Sequence, residues 1–177
     1  MKIHHTTVVC VRREGKTAIA GDGQVSFENT IMKQGSRKVQ KLAGGKILAG
    51  YAGAAADALT LMERLEAKLD QYGSNLERAG LELVKEWRTD RVLRRLEALL
   101  VVADARQMFL ISGAGDMIRP DEDLIAVGSG GGYARAAAVA LMQHTQLGAE
   151  EIAREALRIA SGICVFTNDN ISVETLG

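Results

Sequence analysis

A chain of 177 residues, 47% hydrophobic and 25% charged, has room for one domain around a single core. Its 22 basic side chains balance 22 acidic ones, which argues against a protein built to grip nucleic acid through many phosphate contacts. No apolar run approaches the ~20 residues of a membrane helix, Met1–His5 is too short and polar for a signal peptide, and Cys10 and Cys164 make neither a disulfide framework nor a zinc pattern, so a reducing compartment is expected.

Thr6–Arg12 is β-branched and apolar, and with Thr17–Ala20 across the Glu14-Gly15 turn it predicts a hairpin. Val25–Met32 and Lys46–Tyr51 read as further strands, separated by breaks at Gly35 and Gly44-Gly45. Leu59, Met62, Leu65 and Leu69 then recur at helical spacing, so Ala54–Tyr72 is expected to be an amphipathic helix that Gly73 ends. Ser74-x-x-Glu77 has capping-box spacing and opens a second helix running towards Leu96. Strand signals return at Ala98–Ala103, Met108–Ser112 and Leu124–Val127. Helices follow at Tyr133–His144 and Ala149–Ile159, and the last strands fall at Cys164–Thr167 and Ile171–Val173. Nearly apolar strands between two helical pairs predict an α+β fold, a four-layer αββα sandwich. A three-layer fold on a parallel sheet is the competitor, and the consecutive strands early in the chain disfavour it.

Three glycine clusters invite a nucleotide reading and fail it. Gly15-Lys16-Thr17 ends like a P-loop, but Cys10 stands where the first glycine is required, and a strand follows instead of a helix. Gly44-Gly45-Lys46 continues into Ile47, with no hydroxyl for magnesium. Gly128-Ser129-Gly130-Gly131-Gly132-Tyr133 puts Tyr133 where a dinucleotide fingerprint needs its third glycine; a strand-to-helix turn with exposed amides is the expected use.

A Ser–His–Asp arrangement is unpersuasive. His4 and His5 precede the first strand, His144 sits near a helix end, and Cys10 is expected to pack as a small apolar group. A threonine at a free N-terminus needs no histidine: its hydroxyl attacks while its own α-amine, with an ordinary pKa near 8, takes the proton. A neighbouring lysine lowers that pKa, a carboxylate holds the two in register, and backbone amides receive the oxyanion.

Thr6-Thr7-Val8-Val9-Cys10-Val11-Arg12-Arg13 followed by Ala20-Gly21-Asp22-Gly23-Gln24 resembles the HslV family, bacterial threonine peptidases among the proteasome-related N-terminal-nucleophile hydrolases. The resemblance continues, in order, through Arg37-Lys38-Val39, Ala49-Gly50-Tyr51-Ala52-Gly53, Ala56-Asp57-Ala58, Glu86-Trp87-Arg88-Thr89-Asp90-Arg91, Leu96-Glu97-Ala98-Leu99-Leu100, Ala126-Val127-Gly128-Ser129-Gly130-Gly131 and Ile163-Cys164-Val165-Phe166-Thr167-Asn168. It implies that Thr6 is the nucleophile, with Asp22 and Lys38 as charge partners, Ser129 bonding near the terminal amine, and the Gly50 amide as oxyanion donor. It also implies a sodium ion on the backbone carbonyls of Ser161, Cys164 and Thr167. Gly132 stands where the family carries a proline, which is expected to loosen that turn.

Thr6 is internal in this chain, so 1–5 reads as a leader and 6–177 as the single hydrolase domain. Cleavage between His5 and Thr6, by attack of Thr6 on the preceding carbonyl, is expected to create the catalyst. The resemblance further implies a cytoplasmic homododecamer of two stacked hexameric rings. A hexameric AAA+ unfoldase (HslU) on the ring ends would consume the ATP and feed unfolded protein substrates. Arg88, Arg91, Arg94 and Arg95 are candidates for subunit contacts or an ordinary solvated face. The alternatives are a ring subunit that assembles but does not cut, and a nucleotide-binding module on Gly128–Gly132.

Overall fold

The computed structural model describes residues 6–90 and 98–177. Strands β1 (Thr7–Arg13) and β2 (Lys16–Asp22) form the expected hairpin, with positive φ at Glu14 and Gly15 making the turn. The segment 25–32 is not one strand. It folds back at Glu28 (φ 50°) into a short pair, β3 (Val25–Phe27) and β4 (Thr30–Lys33). Strands β5 (Val39–Leu42) and β6 (Ile47–Gly53) follow, and β5 had no separate signal in the sequence.

Helix α1 (Ala55–Gln71) matches expectation. Helix α2 (Leu76–Thr89) is capped by Asn75, whose Oδ1 accepts the Arg78 N–H at 3.0 Å, and not by Ser74. Ser74 has φ 63° and its N–H reaches back to Leu69 O, so it closes α1 instead of opening α2. The later part of the expected second helix, with Arg91, Arg94 and Arg95, lies outside the described residues; Arg88 is exposed on α2.

Strands β7 (Ala98–Ala103), β8 (Met108–Ser112), β9 (Met117–Ile118) and β10 (Leu124–Gly128) lead into α3 (Gly131–His144) and α4 (Ala149–Ser161); β11 (Ile171–Leu176) ends the chain. Residues 164–167, expected as a strand, are a turn. The Cys164 N–H bonds Ala160 O at the end of α4, and the Thr167 N–H bonds Cys164 O, which consumes the groups a ladder would need.

One sheet runs β10-β1-β2-β11 and the other β5-β6-β7-β8-β9, each antiparallel throughout. Strand alternation sorts the apolar residues into three cores. Val9, Val11, Ala18 and Ala20 meet α3 and α4; Val8, Cys10, Ile19, Leu48 and Val101 fill the space between sheets; Ala49, Leu100 and Val102 meet α1 and α2. Both faces of both sheets are covered, which is why the strands read as apolar throughout. The chain is therefore a four-layer αββα sandwich, with the start of β1 held between β10 and β2.

Candidate active site

Asp22, the last residue of β2, is fully buried and surrounded by donors. Its Oδ1 accepts the Thr7 N–H at 2.8 Å and the Lys38 ammonium at 3.0 Å; its Oδ2 accepts the Gln24 N–H at 2.9 Å. Lys38 is only 2% exposed, and its Nζ also donates to Gln24 O at 2.5 Å. Burial pushes the Lys38 ammonium below the usual lysine range, while the charge and hydrogen bond of Asp22 pull it back up. The arrangement is a dry ion pair with its polar atoms engaged, the condition under which such a pair is tolerated in a protein interior.

Thr6 is 5% exposed and precedes this pair by one peptide bond. Its carbonyl accepts the Ser129 N–H at 3.1 Å, so Ser129 meets the threonine through its backbone while its side chain is exposed. Gly128 has φ 94°, and a Cβ there would sit 1.7 Å from Thr6 O; only glycine allows this approach. Beside it the Thr7 hydroxyl accepts the Gly130 N–H at 2.9 Å and lies 2.7 Å from the Thr167 hydroxyl. The Gly128–Gly132 run is thus the turn from β10 into α3, closed around the threonines.

Gly50 is near but turned the wrong way. Tyr51 N–H bonds Lys38 O on the β5 side, so by alternation the Gly50 N–H points to Val101 of β7. Its glycine identity has a packing cause: a Cβ would meet Ile19 Cδ1 at 2.8 Å and Val8 Cγ1 at 2.9 Å across the sheets. Gly53 ends β6 two residues beyond Tyr51, with φ 115°, and the same alternation assigns its N–H to the β5 side of the strand. Sequence spacing cannot reveal that parity.

Gln24, Thr167 and Asn168 stand in the family-like motifs, with Thr167 expected only as a sodium ligand through its carbonyl; their contacts with Asp22, Lys38 and Thr7 were not foreseen. Gln24 Nε2 donates to Ser26 Oγ and Val165 O, and the Asn168 N–H approaches Asp22 Oδ2 at 3.4 Å. Next to Lys38 a cavity of about 110 Å³ is lined by Tyr51, Leu59 and Met62, with the Tyr51 hydroxyl bonded to Ser36. Cys10 is buried between the sheets and its thiol is pushed up to about 12; His144 is exposed at the end of α3. Among the described residues no group of three or more His, Cys, Asp or Glu could hold a metal.

The proteasome subunit family model matches residues 3–176. The ATP-dependent protease subunit HslV of Caldanaerobacter subterraneus subsp. tengcongensis is 57% identical over 172 residues, covering 97% of this chain and 98% of that protein. Its counterpart in Thermoanaerobacter sp. (strain X514) is 56% identical over the same length. The crystal structure of eukaryotic HslV from Trypanosoma brucei superposes with a TM-score of 0.91 at 44% identity, covering 96% of this chain and 98% of that one. The chain accordingly belongs to the proteasome subunit family and, within it, to the HslV group of ATP-dependent protease subunits, which are threonine-type peptidases.

Proposed function

We propose that Thr6, freed of residues 1–5, is the nucleophile of this peptidase and its α-amine the general base. The observation that carries the reading is the Asp22 Oδ1 atom shared by the Thr7 N–H at 2.8 Å and Lys38 Nζ at 3.0 Å. It ties the backbone of the threonine to a buried cation. That cation lowers the pKa of the neighbouring amine and holds more of it in the basic form near neutral pH. The amine takes the Thr6 hydroxyl proton as the oxygen attacks the substrate carbonyl. The oxyanion is received by the Gly53 N–H, in place of the Gly50 N–H that the resemblance suggests. The ammonium then returns the proton to the departing amine, leaving an ester on Thr6. Water, deprotonated by the same amine, hydrolyses it.

The Val39, Tyr51, Leu59 and Met62 walls of the cavity beside Lys38 suit an aliphatic or aromatic side chain next to the scissile bond, with Arg37 and Gln40 as its polar edge. Leader release follows a related path: the Thr6 hydroxyl attacks the carbonyl of residue 5 with a water taking its proton, since the Thr6 nitrogen is still an amide. The C–N bond breaks as the acyl group moves to the oxygen, and hydrolysis of that ester frees the leader and the α-amine. In a Thr6→Ala variant, peptide hydrolysis and leader cleavage are both expected to disappear. Leader loss at the same bond in that variant would assign the cut to another protease, and retained hydrolysis would remove Thr6 from its role. Because Thr6 is internal in this sequence, a latent precursor that forms rings without cutting is the second reading, and the same intact-mass measurement separates the two.

The sodium ion implied by the family resemblance would rest on the carbonyl oxygens of Ser161, Cys164 and Thr167, of which Cys164 O also accepts the Thr167 N–H at 3.0 Å. They are neutral hard donors, and Ser161 ends α4, where carbonyls lack helical partners and the helix dipole favours a cation. Bound there, the ion would tie together the loop that carries Thr167; it takes no part in the proton transfers. The names of the relatives support assembly with an ATPase, and we assign that role to a hexameric HslU unfoldase docked on a double hexameric ring in the cytoplasm. The unpaired Cys10 and Cys164 suit that reducing compartment, and among the described residues no helix is long and apolar enough to cross a membrane.

A further inference from the structure

The Lys38–Asp22 pair is built by segments far apart in sequence, and one side chain joins them. Asn168 Oδ1 accepts the Gly23 N–H at 3.0 Å and the Asn170 N–H at 3.2 Å, while its Nδ2 donates to Gln34 O at 2.9 Å. Its own N–H faces Asp22 Oδ2 at 3.4 Å. Three pieces of backbone are thus pinned: the turn after Asp22, the link leading to Lys38, and the loop between α4 and β11.

The junction is tight. A Cβ on Gly23 would lie 2.2 Å from Gln34 O and 3.0 Å from Asn170 O, so these chains touch with no side chain between them. Ser36 N–H bonds Gly23 O at 2.9 Å, and two residues later Lys38 emerges toward Asp22. A shift of Gly23 against Gln34 would therefore move the carboxylate and the ammonium apart at their source.

We infer that Asn168 is a positioning residue for catalysis: its amide clamps the Gly23 turn to the Gln34 link and so sets the register of Asp22, Lys38 and the Thr6–Thr7 backbone. This rests on the reading of Thr6 as nucleophile. Asparagine is suited because the clamp needs both an acceptor for two N–H groups and a donor for a carbonyl in one short side chain. Aspartate keeps the acceptor, loses the donor, sets a carboxylate against Gln34 O and brings a second negative charge toward Asp22. That charge would raise the pKa of a nearby amine base.

The test uses the assembled, processed protein with a fluorogenic peptide, measuring kcat, KM, the pH–rate profile and Tm for Asn168→Ala, Asn168→Asp and Asn75→Ala. The last removes a helix cap far from the site and reports what destabilisation alone does. Asn168→Ala is expected to lower kcat by about tenfold to a hundredfold at nearly unchanged KM, the cost of a small misplacement of reacting groups. Asn168→Asp is expected to move the acid limb of the profile to higher pH, by up to about one unit. Asn75→Ala should lower Tm and leave kcat and the profile in place. Wild-type kcat and pH profile in both Asn168 variants, or changes that merely track Tm as in Asn75→Ala, would overturn the inference. Should Asn168→Ala not assemble, the pH shift in Asn168→Asp decides alone. Failure of the underlying reading is separate, because it would appear as hydrolysis retained by Thr6→Ala.

Discussion

At the scale of single residues the site depends on a charge pair that water does not reach. Replacing Lys38 by alanine strands the Asp22 carboxylate among backbone donors without its cation. Such a loss is expected to cost about 3–5 kcal/mol of stability in urea unfolding and to remove peptidase activity together. Cys10 gives a pH dependence of known sign. Burial raises its thiol from 9.0 to about 12, so the folded state binds the proton more tightly than the unfolded chain. Its contribution is complete below pH 9 and is lost as pH rises toward 12. Cys10→Ala is expected to flatten the fall of stability with pH in that window; an unchanged slope would contradict the assignment. That Asp22 and Lys38 would meet beside Thr6 and Thr7 was legible through the ordered resemblance along the whole chain, since each short motif alone reads equally as a strand, a turn or a solvated basic run. The Thr167 hydroxyl on Thr7 and the Asn168 N–H on Asp22 were not, since they reach across 160 and 146 residues of chain through a hydroxyl and a backbone N–H, which leave no residue-type signature.

Among the elements, hydrophobic period settled most of the structure and terminal chemistry the rest. The strands with apolar residues on both faces and α1 with its leucine spacing were read correctly, since burial dictates those patterns. The start of α2 was not. Ser74 and Asn75 are both good caps, and the choice fell to Asn75 because Ser74 is held in the left-handed region closing α1. Asn75→Ala is expected to cost about 1 kcal/mol in thermal or urea unfolding, with Ser74→Ala costing less. The split of residues 25–32 into β3 and β4 was hidden because the pair stands apart from the two large sheets, with β4 exposed throughout and a serine as the buried residue of β3, so no apolar alternation marks it. The turning of the Gly50 N–H toward β7 has the same root: which side an N–H faces depends on strand pairing, not on composition.

For the whole molecule, the two sheets bring the start of β1, the end of β2, the link before β5 and the turn before α3 to one end of the sandwich. Gly128 is the point of closest approach, and Gly128→Ala is expected to block docking of Thr6 against the Ser129 N–H. Full-length, folded protein with a sharply reduced rate of leader loss is the outcome to look for by intact mass. Exposed apolar residues on the β3–β4 pair, Ile31 and Met32 among them, and Ile163 and Val165 after α4, are surfaces that a lone subunit would leave to water. Sedimentation at micromolar concentration is accordingly expected to show rings; a single monomer boundary would contradict the assembly.

The most direct test of Thr6 as a nucleophile with its own base is the intact mass of the purified chain before and after a peptide epoxyketone, with HslU and ATP present. That reagent closes a ring on a hydroxyl and a free α-amine of the same residue. The expected result is loss of residues 1–5 and a single adduct that maps to Thr6. A processed chain that hydrolyses peptide yet takes no adduct, or an adduct that persists in Thr6→Ala, would contradict it.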